Sequence, residues 1–139
     1  MNNSRSCRLA RALSIACLFI LIIPQTNFAQ TEKGIELYNL WKFQEAQNVL
    51  REAFDADQKD IKAGYFLGLS LLFAEKHAEA LDVLLKVEAG LGKTPAAARP
   101  AVPMPCQVQV GLARARLGLE QYEEAWKNLE AARKMDPDF

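Results

Sequence analysis

Along this chain the apolar positions recur at helical spacing in three separate windows. Phe43, Ala46, Leu50 and Ala53 make the first, His77, Ala80, Leu84 and Val87 the second, and Tyr122, Ala125, Leu129 and Ala132 the third. In each, a ring residue leads, alanine stands one turn on, leucine follows four residues later and a small or β-branched residue closes the set. That spacing puts all four side chains on one face of a helix. Ala46 and Ala80 are 34 residues apart and Ala80 and Ala125 are 45, the same period with eleven residues inserted. Twelve residues before the alanines stand Gly34, Gly68 and Ala113, each inside a second apolar stretch. A small side chain there lets two helices of a hairpin approach closely. The pattern predicts helices near 30–40, 43–56, 60–74, 77–89, 106–119 and 122–135. Leu50, Phe54, Leu67, Leu71, Leu81, Leu84, Leu112, Trp126 and Leu129 are the expected core.

A 34-residue period with an early small residue, a later Ala-x3-Leu pair and a closing proline, here Pro137, resembles the tetratricopeptide repeat. The resemblance covers roughly residues 27–139. The sequence departs from the family pattern in places. Gln58 and Gly92 stand where copies one and two would carry the terminal proline, and Gln30, Gly64 and Gln109 occupy a frequent Trp position. Leu37, Leu71 and Arg116 replace a frequent Tyr. The resemblance implies an all-α solenoid of three helical hairpins, with repeats near 30–59, 60–93 and 106–139. A single repeat cannot bury its apolar face, so the three pairs should share one continuous core.

The first 29 residues break the pattern and read as a signal peptide. Arg5, Arg8 and Arg11 precede the apolar run 12–23, which Pro24 ends. Twelve residues suit a signal core and fall short of the ~20 that a spanning helix needs. Cleavage is expected between Ala29 and Gln30, and an uncleaved N-terminal membrane anchor is the alternative. A lipoprotein signal at Cys17 fits poorly, since Ser14 stands where leucine or valine is usual. The expected location is periplasmic or extracellular. The chain's 17 Lys+Arg balance its 17 Asp+Glu, and without the three leading arginines the acids are in excess. No basic surplus remains to hold a nucleic-acid backbone.

Two further segments stand out. Pro95, Pro100, Pro103 and Pro105 punctuate an insertion over residues 90–105, which favours extended, polyproline-like backbone there. It reads either as a tolerated loop between repeats or as a segment that folds across the groove or offers a proline-rich ligand. Cys106 is the one cysteine left beyond the leader, so the fold must stand on packing; it reads as a small packed residue or as an intermolecular disulfide partner. At the C-terminal end Tyr122, Trp126 and Met135 are expected to be half covered. Either the array is longer or this end pairs with something.

Catalytic chemistry is not expected. The single histidine, His77, takes the ring position of Phe43 and Tyr122 and reads as a packing residue. No HExxH, cysteine pair, glycine-rich phosphate loop or G-x-S-x-G is present, so neither a metal nor a cofactor is expected. In the family resembled, the first helix of each pair lines a groove for a protein or peptide. Carried over, the groove positions are Thr31, Ile35, Tyr38 and Asn39, then Lys62, Tyr65, Leu69, Leu72 and Phe73, then Gln107, Val110, Arg114 and Leu117. Tyr38, Tyr65, Leu69, Phe73 and Arg114 are the candidate contact residues. The Lys, Asn and Arg side chains with which co-chaperone members clamp a peptide carboxylate are replaced by Thr31, Ile35, Phe66, Gln107 and Gly111. The reading is an exported, non-catalytic interaction scaffold. Its alternative is a module that self-associates, or caps an envelope assembly, through the third pair.

Overall fold

Each period folds as a helix, a tight turn and a second helix, and the turn is the same three times. The amides of Trp41, Glu75 and Glu120 donate to the carbonyls of Tyr38, Leu72 and Leu117, and those of Lys42, Lys76 and Gln121 reach back to Leu37, Leu71 and Arg116. This paired 5→2 and 6→1 pattern closes a helix through one left-handed residue. Trp41, Glu75 and Glu120 fill that place, with φ of 63°, 57° and 61°. Glycine is the usual occupant, because a Cβ there costs ~1–2 kcal/mol.

The structure, a computed structural model, describes residues 23–98 and 105–137. Among them lie α1 (Ile23–Asn39), α2 (Phe43–Ala56), α3 (Ile61–Phe73), α4 (His77–Lys93), α5 (Pro105–Gly118) and α6 (Tyr122–Met135), with a short 3-10 turn at Ala96–Ala98. No strand occurs among the described residues. The helices pair as α1/α2, α3/α4 and α5/α6, and the pairs stack through α2 on α3 and α4 on α5. The first helices also touch one another, α1 with α3 and α3 with α5. The second helices do so barely or not at all, and the stack therefore curves toward α1, α3 and α5.

The small residues do what the period implied. A Cβ on Gly34 would fall 2.5 Å from Leu50 Cγ, and one on Gly68 2.7 Å from Leu84 Cγ. Gly64 is equally constrained, its would-be Cβ lying 2.6 Å from Val87 and 2.7 Å from Phe54. Leu50, Leu67, Leu71, Leu84 and Leu112 are fully buried, Phe54 nearly so, and Leu81 packs half-buried against them. Asp60 ties the first two pairs together. One carboxylate oxygen caps α3 by accepting from the Ala63 amide at 3.0 Å, and the other accepts from the buried Thr31 hydroxyl at 2.7 Å.

Several expectations need correction. Trp126 is 64% exposed and Leu129 39% exposed, so neither belongs to the core. Periodicity identified their face of α6 but not whether anything covers it. Helix α1 begins at Ile23, seven residues early, and α4 runs on to Lys93 through Gly90 and Gly92. Gly92 meets no neighbouring atom within 4 Å, and Thr94 ends the helix where the prolines begin. Residues 1–22 and 99–104, which hold most of the leader and the central part of the insertion, lie outside the described residues. Cys106 is buried, which closes it to a partner thiol.

The third pair has a polar interior. Gln109 Nε2 donates to Glu88 Oε1, Asn128 Nδ2 donates to Gln109 Oε1, and Arg116 Nη1 donates to Asn128 Oδ1 at 2.6 Å. Gln109 and Asn128 are both buried. A chain of hydrogen bonds thus joins α4, α5 and α6 where the second pair is held by leucine and valine.

Candidate functional site

The curve of the stack gathers aromatic rings at the turn end of the first two pairs. Tyr38 comes from the last turn of α1, Trp41 from the turn itself, Phe43 from the start of α2, and Phe66 and Phe73 from α3. Phe43 and Phe73 stack face to face, with centroids 4.3 Å apart and planes 5° from parallel. Tyr38 sets its edge against Phe43 at 5.4 Å and against Phe66 at 5.3 Å, and Trp41 meets Phe43 at 5.8 Å and Phe73 at 6.4 Å. Such geometries add to simple burial. Over the Phe73 ring, from α5, sits the Arg114 guanidinium, 5.5 Å from its centroid.

The rings do not close on themselves. Tyr38, Asn39, Trp41, Phe43 and Phe73 line an open recess of about 140 Å³. Trp41 is 76% exposed and Phe73 43%, and Leu40 beside them is also exposed. The recess is well below the ~300 Å³ at which small-molecule and cofactor pockets begin. It suits one or two side chains of a peptide.

Electrostatics sharpen the site. Burial raises the Tyr38 hydroxyl pKa, with Arg114 opposing. Burial likewise pushes Tyr65 up to about 12, with Tyr38 and Cys106 acting the same way and Arg114 against. Both phenols are therefore neutral at physiological pH. At the far end of the same helices Lys62 Nζ pairs with Glu32 Oε1 at 3.5 Å. Among the described residues Arg114 makes no such pair, so its charge remains available beside the rings.

Of the five candidate contact residues, Tyr38, Phe73 and Arg114 meet at this site. Leu69 is half-buried and packs on the core. Tyr65 is a correction: it is 8% exposed and belongs to the core beneath the groove, edge-on to Phe66 at 5.5 Å. Thr31 and Leu72 are buried as well. Trp41 and Phe43 join the site from outside the candidate contact residues. Phe43 was visible only as a repeat-defining ring, and Trp41 lies in a turn, where helical periodicity carries no signal. A tryptophan at a position that holds glutamate in the other two copies was the available clue. Among the described residues no three His, Cys, Asp or Glu side chains come together.

No protein-family model matches the sequence, and no curated protein matches it. Solved structures do match. The first TPR of Spaghetti (RPAP3) bound to the HSP90 peptide SRMEEVD superposes with a TM-score of 0.70 at 20% identity, over 83% of this chain and 82% of that one. The NMR structure of the first TPR domain of human RPAP3 gives 0.67 at 19%, over 81% and 80%. A MamA RS-1 double mutant gives 0.68 at 24%, over 95% of this chain and 76% of that one. At such identities the likeness speaks for the fold: the chain is a tetratricopeptide-type solenoid of helical hairpins.

Proposed function

We propose that the chain is an exported, non-catalytic scaffold that holds an apolar segment of a partner protein at the rim of its groove. The observation that carries this is the ring cluster in which exposed Trp41 and Phe73 flank half-buried Phe43, with Arg114 beside it. Exposed aromatic residues grouped around a recess, next to a cation, are the composition of interaction hot spots. A similar solenoid is described as bound to a peptide, which supports the class of partner. The lining favours a segment with a bulky apolar anchor and a carboxylate one or two residues away, the anchor in the recess and the acid on Arg114.

Panning a displayed peptide library tests the reading. Enriched sequences should share an aromatic or large aliphatic residue near an Asp, Glu or free C-terminus. Binding should fall at least tenfold in Phe73→Ala and Arg114→Ala while helicity by circular dichroism stays unchanged. Enrichment that survives both substitutions would place the binding surface elsewhere.

Export rests on the arginines and apolar run at the N-terminus. The packing is compatible with it: Phe28 and Ala29 are exposed, and among the side chains described, from Asn27 on, the first buried one is Thr31. Removal of residues 1–29 would leave the Thr31–Asp60 bond in place. Intact mass of the protein recovered from envelope fractions distinguishes a chain starting at Gln30 from an anchored one, and recovery from the cytosol alone would refute export.

A further inference from the structure

A second surface lies on α6, away from the groove. Tyr122, Trp126, Leu129 and Arg133 follow one another at intervals of four, three and four residues, the spacing of a coiled-coil seam. Tyr122 and Trp126 are each 64% exposed, and Leu129 is 39% exposed. The helix is buried through Ala125, Asn128 and Ala132 instead, so the seam runs along its flank. Among the described residues, neither Tyr122 nor Trp126 makes a ring contact of the kind that packs Trp41 and Phe43 together.

Charge decides what this seam fits. Helix α6 is acidic in its first turn, at Glu123 and Glu124, and basic in its last, at Arg133 and Lys134. A parallel copy would set like charges side by side. An antiparallel copy related by a two-fold axis sets opposite charges together and matches the seam to itself. With the axis between Trp126 and Leu129, Trp126 of each copy meets Leu129 of the other, and Tyr122 meets Arg133, a cation over a ring. Glu123 of one copy then lies next to Arg133 and Lys134 of the other, two cations against the single acid, Glu130, on the same edge. We infer that α6 is a homodimer surface, in which two copies pair antiparallel through Tyr122, Trp126, Leu129 and Arg133.

The size of the surface sets the expected strength. Two aromatic side chains per copy, each offering ~150–250 Å² when whole, place the contact at the low end of specific interfaces. The dimer should be reversible, with half-association at roughly micromolar concentration. Such a pair leaves both grooves free, so this inference stands or falls apart from the proposed function.

Sedimentation equilibrium of the full chain, over about two decades of concentration, reads the result. The weight-average mass should rise from one chain toward two and stop there. Glu123→Arg alone and Arg133→Glu alone should each weaken association at least tenfold. Mixing the two single variants should restore it, because each supplies the charge the other lacks, and so should the double variant. These side chains are exposed, so loss of folding does not confound the readout. Any association through the apolar run 12–23 is insensitive to the swap and cancels in the comparison. A concentration-independent monomer, growth past two chains that the charge swaps alter, or failure of the mixture to recover would each overturn the antiparallel dimer.

Discussion

Three repeat positions that are apolar in the second hairpin carry hydrogen-bonding side chains in the third. Gly64 corresponds to Gln109, Leu71 to Arg116 and Val83 to Asn128. Leu71 is fully buried between α3 and its neighbours, whereas Arg116 reaches Asn128, which in turn reaches Gln109 and Glu88. The leucine that anchors each second helix differs too. Leu84 is fully buried, and Leu129, its counterpart, is 39% exposed. The middle hairpin is covered on both sides by its neighbours. On the described residues the third is covered on one, and its interior is polar. The same motif therefore yields a packed unit in one place and an adaptable one in another, and neighbours decide which.

The largest expected effect breaks that contrast at its centre. Leu84→Ala should cost about 3–5 kcal/mol, the loss of a fully buried leucine plus the cavity it leaves. Leu129→Ala, the same substitution at the same place in the motif, should cost about 1 kcal/mol or less. Urea denaturation followed by circular dichroism compares them. Equal losses would mean that Leu129 packs as deeply as Leu84.

That pair also shows what the residues alone could reveal. Period and face were legible, because Gly34 against Leu50 and Gly68 against Leu84 are contacts fixed by spacing along the chain. Coverage was not. Leu129 and Trp126 satisfy the same pattern as Leu84 and Leu81, and only the presence of a packed neighbour tells them apart. The site was half legible for the same reason. Tyr65 and Phe73 both lie on α3, but Tyr65 turns into the layer between the first helices and Phe73 reaches the rim, a matter of helix stacking that no single repeat encodes. Trp41 carries no periodic signal because its place is set by turn geometry.

Smaller effects sharpen the comparison. Asn128→Val copies the second hairpin into the third, yet it should destabilise by about 1–3 kcal/mol, since buried Gln109 Oε1 loses its donor and half-buried Arg116 keeps only the Glu124 carbonyl. Arg116→Leu and Gln109→Leu should each cost a similar amount. All three together should cost clearly less than their sum, because the last substitution removes groups already orphaned. Additive losses would show that the hydrogen-bond chain does not act as a unit. Gly68→Ala, which gives the second hairpin the residue Ala113 supplies in the third, should cost about 1–3 kcal/mol, because the new Cβ would lie 2.7 Å from Leu84. In the third hairpin Ala113 is itself buried, and the corresponding leucine, Leu129, is 39% exposed.

The turns give the smallest effect and separate strain from function. Glu75 and Trp41 occupy the same left-handed position, and both are exposed. Glycine at either place relieves the Cβ conflict but widens the unfolded ensemble, so the net gain should be about 0.5 kcal/mol. That is roughly 2–4 °C in the thermal midpoint of a domain this size. Glu75→Gly should raise the midpoint and leave peptide binding unchanged. Trp41→Gly gains the same relief but loses the ring contacts with Phe43 and Phe73, so its midpoint should rise less, and it should abolish binding, because the wall of the recess goes with the indole. Backbone strain then persists at Trp41 for the sake of the surface it presents. Had the tryptophan been retained for packing, Trp41→Gly would lower the midpoint while Glu75→Gly raised it, and the two turns would part company on stability alone.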